Sequence, residues 1–139
     1  MTKITRISER AAYTASRMRS PDHSLPFFDP AAIDRLRKVA GDQGSGFVAE
    51  MAQLFLEETT RCLDLLRVGG DRGDWTTVSR IAHSLKSSSA TLGLMRVSRA
   101  CMALELDTKS AASGPETESL VADVFAEFEQ AAPILKSLS

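Results

Sequence analysis

The sequence predicts an all-α protein, an antiparallel four-helix bundle with a short extra helix at its N-terminal side. Apolar residues recur at the three- and four-residue spacing of amphipathic helices from Phe28 onward. Proline and glycine fall mostly between these periodic stretches, where helices begin and end. No segment shows the sustained alternation of apolar and polar residues that is typical of a half-buried strand. Long amphipathic helices with short connections bury their apolar faces by packing as a bundle.

The composition favours a soluble globular domain. The 139 residues are 43% hydrophobic and 25% charged, and the net charge of -1 gives no field that would favour nucleic acid or a membrane surface. No apolar run reaches the roughly 18–20 residues that span a bilayer, and the N-terminus lacks the apolar stretch of a secretory signal. We therefore expect a cytoplasmic protein. Cys62 and Cys101 are interpreted as buried small hydrophobes, with a disulfide as the alternative, and two cysteines alone make no metal site.

The first 27 residues differ from the rest of the chain. They carry five basic and two acidic residues and few apolar ones. We interpret residues 1–27 as a basic, mobile tail and residues 28–139 as the helical domain. His23 lies in this tail and is interpreted as a solvated loop residue.

The first two helices have clear start and stop signals. Asp29 and Pro30 are an N-cap residue followed by proline at the first helical position, and this short helix is predicted to end at Gly41. A longer helix is predicted to open at Ser45 and to end at the glycines of positions 69, 70 and 73. The apolar positions that follow the helical repeat are Ile33, Leu36 and Val39 in the first helix, and Phe47, Val48, Met51, Leu54, Phe55, Cys62, Leu65 and Leu66 in the second.

Three further helices complete the prediction. Asp74 is expected to cap the third helix, and Gly93 to turn the chain into the fourth. Pro115 is expected to begin the last helix, and Pro133 to kink it or end it early because proline lacks an amide donor. The expected inward positions are Val97, Ala100, Cys101 and Leu104, with Leu106 or Thr108 at the margin, in the fourth helix, and Leu120, Val121, Val124, Phe125, Phe128 and Leu135 in the last.

His83 lies on the third helix, opposite its apolar face. Projection at about 100° per residue places Val78, Ile81, Leu85 and Leu92 on that face, with Ser88 and Ser89 at its edges. A structural histidine would lie on the apolar face, so His83 is predicted to be exposed. The residues in the stripe around it are small, polar or basic, and none is acidic. They are Thr76, Ser79, Arg80, Lys86, Ser87 and Ala90.

This stripe suits a phosphorylated histidine. Neutral imidazole is abundant near pH 7 and is a nucleophile, and its phosphoramidate must be exposed for a second protein to reach it in line. Arg80 and Lys86 lie about one turn from His83 on either side, where cations would stabilise phosphoryl oxygens. Ser87 and Ala90 are small enough for a partner surface to approach. A solvated histidine without a function is the alternative.

The same residues resemble a known family. Residues 82–93 read AHSLKSSSATLG, which is similar to the signature of histidine phosphotransfer (HPt) domains: an alanine–histidine pair, then leucine, lysine and glycine, then small residues and a second glycine. The resemblance extends to residues 73–75 before this helix and to Cys101, Leu104 and Glu105 after it. In helix pattern it covers about residues 28–138.

The resemblance implies a phosphocarrier without kinase activity of its own. Such domains accept a phosphoryl group from the aspartyl phosphate of one receiver domain, for example that of a hybrid sensor kinase, and donate it to another response regulator. His83 would be the carrier and Lys86 a phosphoryl-stabilising cation, with Arg80 added from its helical position. No cofactor is expected, because the Mg²⁺ belongs to the receiver; the protein is expected to be monomeric. The expected docking surface is Thr76, Ser79, Ser84, Ser87 and Ala90.

Ser87 departs from the family pattern, which has glycine at this position. Serine is the next smallest polar choice, so we expect transfer to survive, with an altered partner preference or rate. Two other functions stay open at this point: an adaptor bundle in which His83 has no role, and a histidine-kinase dimerisation fragment. The latter usually has an acid after the histidine, where this chain has Ser84. A metal-dependent bundle enzyme would need paired Glu-x-x-His motifs, and none is present.

Overall fold

A computed structural model describes residues 27–110 and 115–138 of the chain. The predicted tail therefore lies almost entirely outside the described residues, as do His23 and residues 111–114. The described part contains α1 (Pro30–Ala40), a short 3-10 turn (Gly41–Gln43), α2 (Gly44–Arg72), α3 (Trp75–Thr91), α4 (Met95–Thr108) and α5 (Pro115–Leu138).

The four longer helices form the predicted bundle. Within the described residues, α2 packs against α3 and α5, and α4 packs against the same two helices, so that α2 lies diagonally opposite α4. The short helix α1 packs on α2 and α3. The all-α bundle with an extra N-terminal helix is confirmed. None of the helices within residues 27–110 and 115–138 is both long and apolar enough to cross a membrane.

The predicted caps of α1 and α3 are confirmed. Asp29 Oδ1 accepts a hydrogen bond from the backbone N–H of Ala31 at 3.0 Å, and Pro30 is the first residue of the helix. Asp74 Oδ1 accepts from the backbone N–H of Thr77 at 3.3 Å. These carboxylates satisfy backbone donors that have no partner inside the helix, which is why each helix begins where it does.

The chain before α1 is attached to the turn between α3 and α4. Asp29 donates its backbone N–H to the carbonyl of Gly93 at 2.8 Å, and Met95 donates to the carbonyl of Phe27 at 3.1 Å. Phe27 and Phe28 pack against the core. Phe27 therefore belongs to the packed domain, although the sequence analysis placed it in the tail.

Two glycines predicted to end α2 and the proline predicted to end α5 do not end these helices. Helix α2 passes through Gly69 and Gly70 and ends at Arg72, and the third predicted glycine, Gly73, follows it as the C-cap with a left-handed φ of 69°. Gly69 is buried against Val78 of α3, so tertiary packing outweighs the cost of roughly 1 kcal/mol for a glycine inside a helix. Helix α5 likewise continues through Pro133 to its last turn, where the buried side chain of Leu135 anchors it.

Most of the residues predicted on the apolar faces are buried or half-buried. Three of them are exposed: Val39 by 82%, Leu54 by 60% and Leu65 by 47%. Leu106, predicted at the margin, is 44% exposed. The buried stripe of α2 contains Val48, Phe55 and Leu66, as predicted, and also Ala52, Thr59 and Leu63. Spacings of three and four residues along 29 residues keep this stripe facing α3 and α5, which leaves Leu54 and Leu65 outside it. Cys101 is buried, Cys62 is half-buried, and both are free thiols.

Candidate functional site

His83 lies in the middle of α3 with 64% of its side chain exposed. The opposite face of the helix is buried in the core through Val78, Ala82, Leu85 and Ser89. Ile81, predicted on that face, is half-buried at its edge. The predicted exposure of His83 is confirmed, because the helix uses its other side for packing.

An acidic residue lies against His83, which the sequence analysis did not anticipate. Oε2 of Glu105, on α4, is 2.7 Å from Nδ1 of His83, and the Glu105 side chain is only 6% exposed. A carboxylate accepts hydrogen bonds, so Nδ1 carries the hydrogen. In the neutral ring, Nε2 then has a free lone pair. The stripe of α3 around His83 contains no acid, as the sequence indicates, and the carboxylate comes from the neighbouring helix α4.

Lys86 holds the other oxygen of the same carboxylate. Its Nζ is 2.6 Å from Oε1 of Glu105, and its side chain is 28% exposed. The backbone carbonyl of Lys86 also accepts from the hydroxyl of Ser98 at 3.0 Å, which ties α3 to α4 at this point. With one oxygen on Lys86 and the other on His83, the carboxylate has a fixed orientation.

Glu105 is ionised despite its burial. Burial by itself raises the pKa of this carboxyl, but hydrogen bonds from Lys86 and His83, with the charges of Lys86 and Lys109, outweigh it and hold the pKa below its usual value of 4.5. The carboxylate therefore persists at neutral pH and can stabilise positive charge on the His83 ring.

A second lysine at the site was not predicted. Nζ of Lys109, the residue that follows α4, is 3.4 Å from Oε2 of Glu105, and the Lys109 side chain is 64% exposed. The sequence signal was its spacing of four residues from Glu105, which places the two on one helix face. Glu105 is part of the family resemblance in the sequence, but the sequence alone assigned it no role.

His83 borders an open cleft of about 520 Å³ between α3 and α4. The cleft brings together three of the predicted residues, Thr76, Ser79 and Arg80, with His83. It is also lined by Trp75, Glu105, Thr108 and Lys109.

The other predicted residues lie elsewhere on α3. Ser87 and Ala90 are exposed farther along the helix. Ser84 lines a separate groove of about 310 Å³ between α2 and α3. The structure therefore separates Ser84 from the cleft that His83 borders.

Comparison with known proteins identifies the family. The sequence model of the Hpt domain matches residues 50–133, which is more than half of the chain. The chain belongs to the Hpt domain family. The matched segment includes His83, Lys86 and Glu105, and the resemblance seen in the sequence is confirmed. Family membership supports a phosphotransfer role in a two-component phosphorelay, and proteins of this family are phosphocarriers rather than kinases.

Individual relatives agree with this assignment. Histidine-containing phosphotransfer protein 5 of Arabidopsis thaliana is 27% identical over 91 residues, which cover 60% of this chain. The chain spans 58% of the length of that relative.

Two solved structures share the fold of this Hpt domain. Histidine-containing phosphotransfer protein B of Pseudomonas aeruginosa superposes with a TM-score of 0.72 at 20% identity, covering 81% of this chain and 93% of its own. A rice protein described as a histidine-containing phosphotransfer protein gives 0.71 at 20% identity, covering 94% and 92%.

Proposed function

We propose that this protein is a phosphorelay intermediate that accepts a phosphoryl group on Nε2 of His83 from the aspartate of one receiver domain and donates it to another response regulator. The observation that carries the proposal is the 2.7 Å contact between His83 Nδ1 and Glu105 Oε2. This contact keeps the hydrogen on Nδ1, so that Nε2 has the free lone pair. The His83 side chain is 64% exposed, which leaves it accessible to a partner.

The transfer step needs no proton movement in this protein. The Nε2 lone pair attacks the phosphorus of the aspartyl phosphate, the N–P bond forms, and the P–O bond to the aspartate carboxylate breaks. The ring becomes cationic, with its hydrogen still on Nδ1. Glu105 stabilises that charge across the hydrogen bond, and the reverse step returns the phosphoryl group to a receiver.

The surrounding residues divide into cations and a docking surface. Arg80 lines the cleft and is proposed to contact phosphoryl oxygens. Lys86 was predicted to stabilise the phosphoryl group as well, and we retain it in that role through its charge, while its contact with Glu105 orients the carboxylate. The proposed receiver docking surface comprises Thr76, Ser79, Ser84, Ser87 and Ala90.

The protein is proposed to act without a cofactor, as a cytoplasmic monomer without kinase activity. Transfer to and from aspartate requires Mg²⁺, which the receiver would bring in its own acidic pocket. Within residues 27–110 and 115–138, no group of three or more histidine, cysteine or acidic residues is placed to hold a metal ion.

Label transfer tests the proposal. Radiolabelled phosphate on the aspartate of a receiver domain is mixed with the full chain, and the label on each protein is followed over time. The wild-type protein is expected to take up label that is stable to base and labile to acid, and His83→Gln to take up none. Equal label on both proteins would place the phosphoryl group on another residue, and label on neither would favour an adaptor bundle. Labelling by ATP alone, without a kinase, would favour a histidine-kinase fragment.

A further inference from the structure

The cleft beside His83 contains a cation, Lys109, that lies outside the motif on α3. Its Nζ is 3.4 Å from Oε2 of Glu105, the same oxygen that lies 2.7 Å from Nδ1 of His83. Lys109 therefore reaches the site from the end of α4, on the side of the cleft opposite α3. A phosphoryl group on His83 would enter the space that Lys109 borders.

The two lysines on Glu105 are held in different ways. Lys86 is 28% exposed and 2.6 Å from Oε1, the distance of a strong charge-assisted hydrogen bond. Lys109 is 64% exposed, and its 3.4 Å contact is longer than such bonds usually are. An ion pair of this length with a mostly exposed ammonium group contributes little, so Lys109 loses little free energy when it leaves Glu105. Lys86 is the fixed cation, and Lys109 is the one free to move.

The charge balance favours that movement. Before phosphorylation, Lys109 shares the single charge of Glu105 with Lys86 and with the Nδ1 hydrogen of His83. A phosphoryl group adds up to two negative charges beside the same ring. The exposed ammonium group of Lys109 therefore gains more electrostatic energy beside the phosphoryl group than beside Glu105, whose carboxylate already has two closer partners.

We infer that Lys109 binds the phosphoryl oxygens once His83 is phosphorylated, while Lys86 stays on Glu105 and keeps the carboxylate on the ring. The inference rests on the proposed function of His83. Lys109 is thereby a phosphoryl-binding residue that stabilises the phosphorylated state. It shifts the phosphoryl equilibrium with a receiver domain toward this protein.

The distribution of label between the receiver and this protein at equilibrium distinguishes phosphoryl binding by Lys109 from a role of Lys109 in docking. A receiver domain phosphorylated with labelled acetyl phosphate, and freed of excess donor, is mixed with dilute full-length protein. The ratio of label on the two proteins is then measured at equilibrium. A docking residue changes the forward and reverse rates together and leaves the ratio unchanged. Lys109→Gln is expected to lower the share on this protein by roughly threefold to tenfold, the range of a partly exposed charge-assisted contact.

Matched variants make the test decisive. Lys109→Arg is expected to restore the distribution. Lys38→Gln, which removes the same charge from an exposed position on α1, is expected to leave it unchanged. In a Glu105→Gln background, Lys109→Gln is expected still to lower the share, because the contact is with the phosphoryl group and not through Glu105.

Three results have distinct meanings. An unchanged ratio in Lys109→Gln overturns the inference and leaves the proposed function intact. An effect that disappears in the Glu105→Gln background also overturns it, since Lys109 would then act only by positioning the carboxylate. A wild-type protein that receives no label from any phosphorylated receiver removes the proposed function, and the inference with it.

Discussion

Glu105 and His83 are 22 residues apart in the chain, yet Oε2 of the glutamate lies 2.7 Å from Nδ1 of the histidine. The glutamate side chain is nearly buried between helices, whereas the histidine is mostly exposed. The bundle therefore supplies from α4 the group that sets the tautomer and orientation of a residue on α3. The predictions for transfer depend on this pair.

Glu105→Gln is expected to slow phosphoryl transfer about tenfold or more, which corresponds to about 1.4 kcal/mol in the barrier. An amide can still occupy the position, but it no longer stabilises the positive charge that the ring acquires, and it can present its NH₂ group to Nδ1 and select the wrong tautomer. Rapid-quench labelling measures the rate. Glu129→Gln, an exposed change of the same chemistry on α5, serves as the control. Equal rates in Glu105→Gln and wild type would contradict the role of the carboxylate.

The Glu105 carboxylate also makes the free energy of unfolding depend on pH. The pKa of Glu105 in the folded protein is below its usual value of 4.5, chiefly because hydrogen bonds from Lys86 and His83 outweigh the opposing effect of burial. A lowered pKa means that the stabilisation is fully present above the unfolded value and is lost as the pH falls through the folded one. Glu105→Gln is expected to be about 1–3 kcal/mol less stable than wild type at pH 7.

Urea unfolding at pH 7, 5 and 3 measures this dependence. The difference in the free energy of unfolding between wild type and Glu105→Gln is expected to be similar at pH 7 and 5, and to become smaller toward pH 3. A gap that stays constant down to pH 3 would mean that the charge of Glu105 contributes nothing to the difference.

Gly93 is expected to resist substitution. It has a φ of +78°, and a Cβ at this position would collide with the backbone carbonyl of Asp29. Gly93→Ala should destabilise the protein by about 2 kcal/mol or more, since the left-handed conformation alone costs roughly 1–2 kcal/mol for a residue with a side chain. Gly46→Ala is the control because a Cβ on that α2 residue meets nothing within 4 Å.

Thermal or urea unfolding distinguishes the two alanine variants. Gly46→Ala should gain about 0.5–1 kcal/mol from helix propensity, the opposite sign to Gly93→Ala. A Gly93→Ala variant as stable as wild type would argue against the connection between the start of α1 and the turn between α3 and α4.

Ser87→Gly restores the residue that the family pattern has at this position and is expected to preserve or accelerate transfer. Ser87 is exposed on α3, so losing its side chain opens space for a receiver, at a cost below about 1 kcal/mol in helix stability. Ser88→Gly is a matched control, since Ser88 is also exposed but lines the groove toward α2. Loss of transfer in a folded Ser87→Gly protein would count against placing Ser87 at the docking surface.

Local sequence signals predicted the fold well because they act within a few residues. The caps at Asp29 and Asp74 and the turn at Gly93 were all found where the residue types placed them. Periodicity on α3 correctly placed His83 on the exposed face, because the buried residues of that helix follow a single stripe.

The remaining features depend on contacts between distant segments. Gly69 stays helical because Val78 packs on it, and α5 passes Pro133 because Leu135 is anchored in the core. The contact of Glu105 with His83 and Lys86 likewise depends on how α4 docks on α3. A helical projection of one segment contains no information on such a neighbour.

The central claim is that His83 carries the phosphoryl group on Nε2 because Nδ1 is engaged by Glu105. Phosphorylation of uniformly ¹⁵N-labelled protein by a phosphorylated receiver, followed by ³¹P and ¹⁵N NMR of the ring, tests it directly. One phosphohistidine is expected, with the phosphorus bonded to Nε2 of His83 and the hydrogen retained on Nδ1. A phosphoryl group on Nδ1, on another residue, or on no residue of the chain would contradict the account.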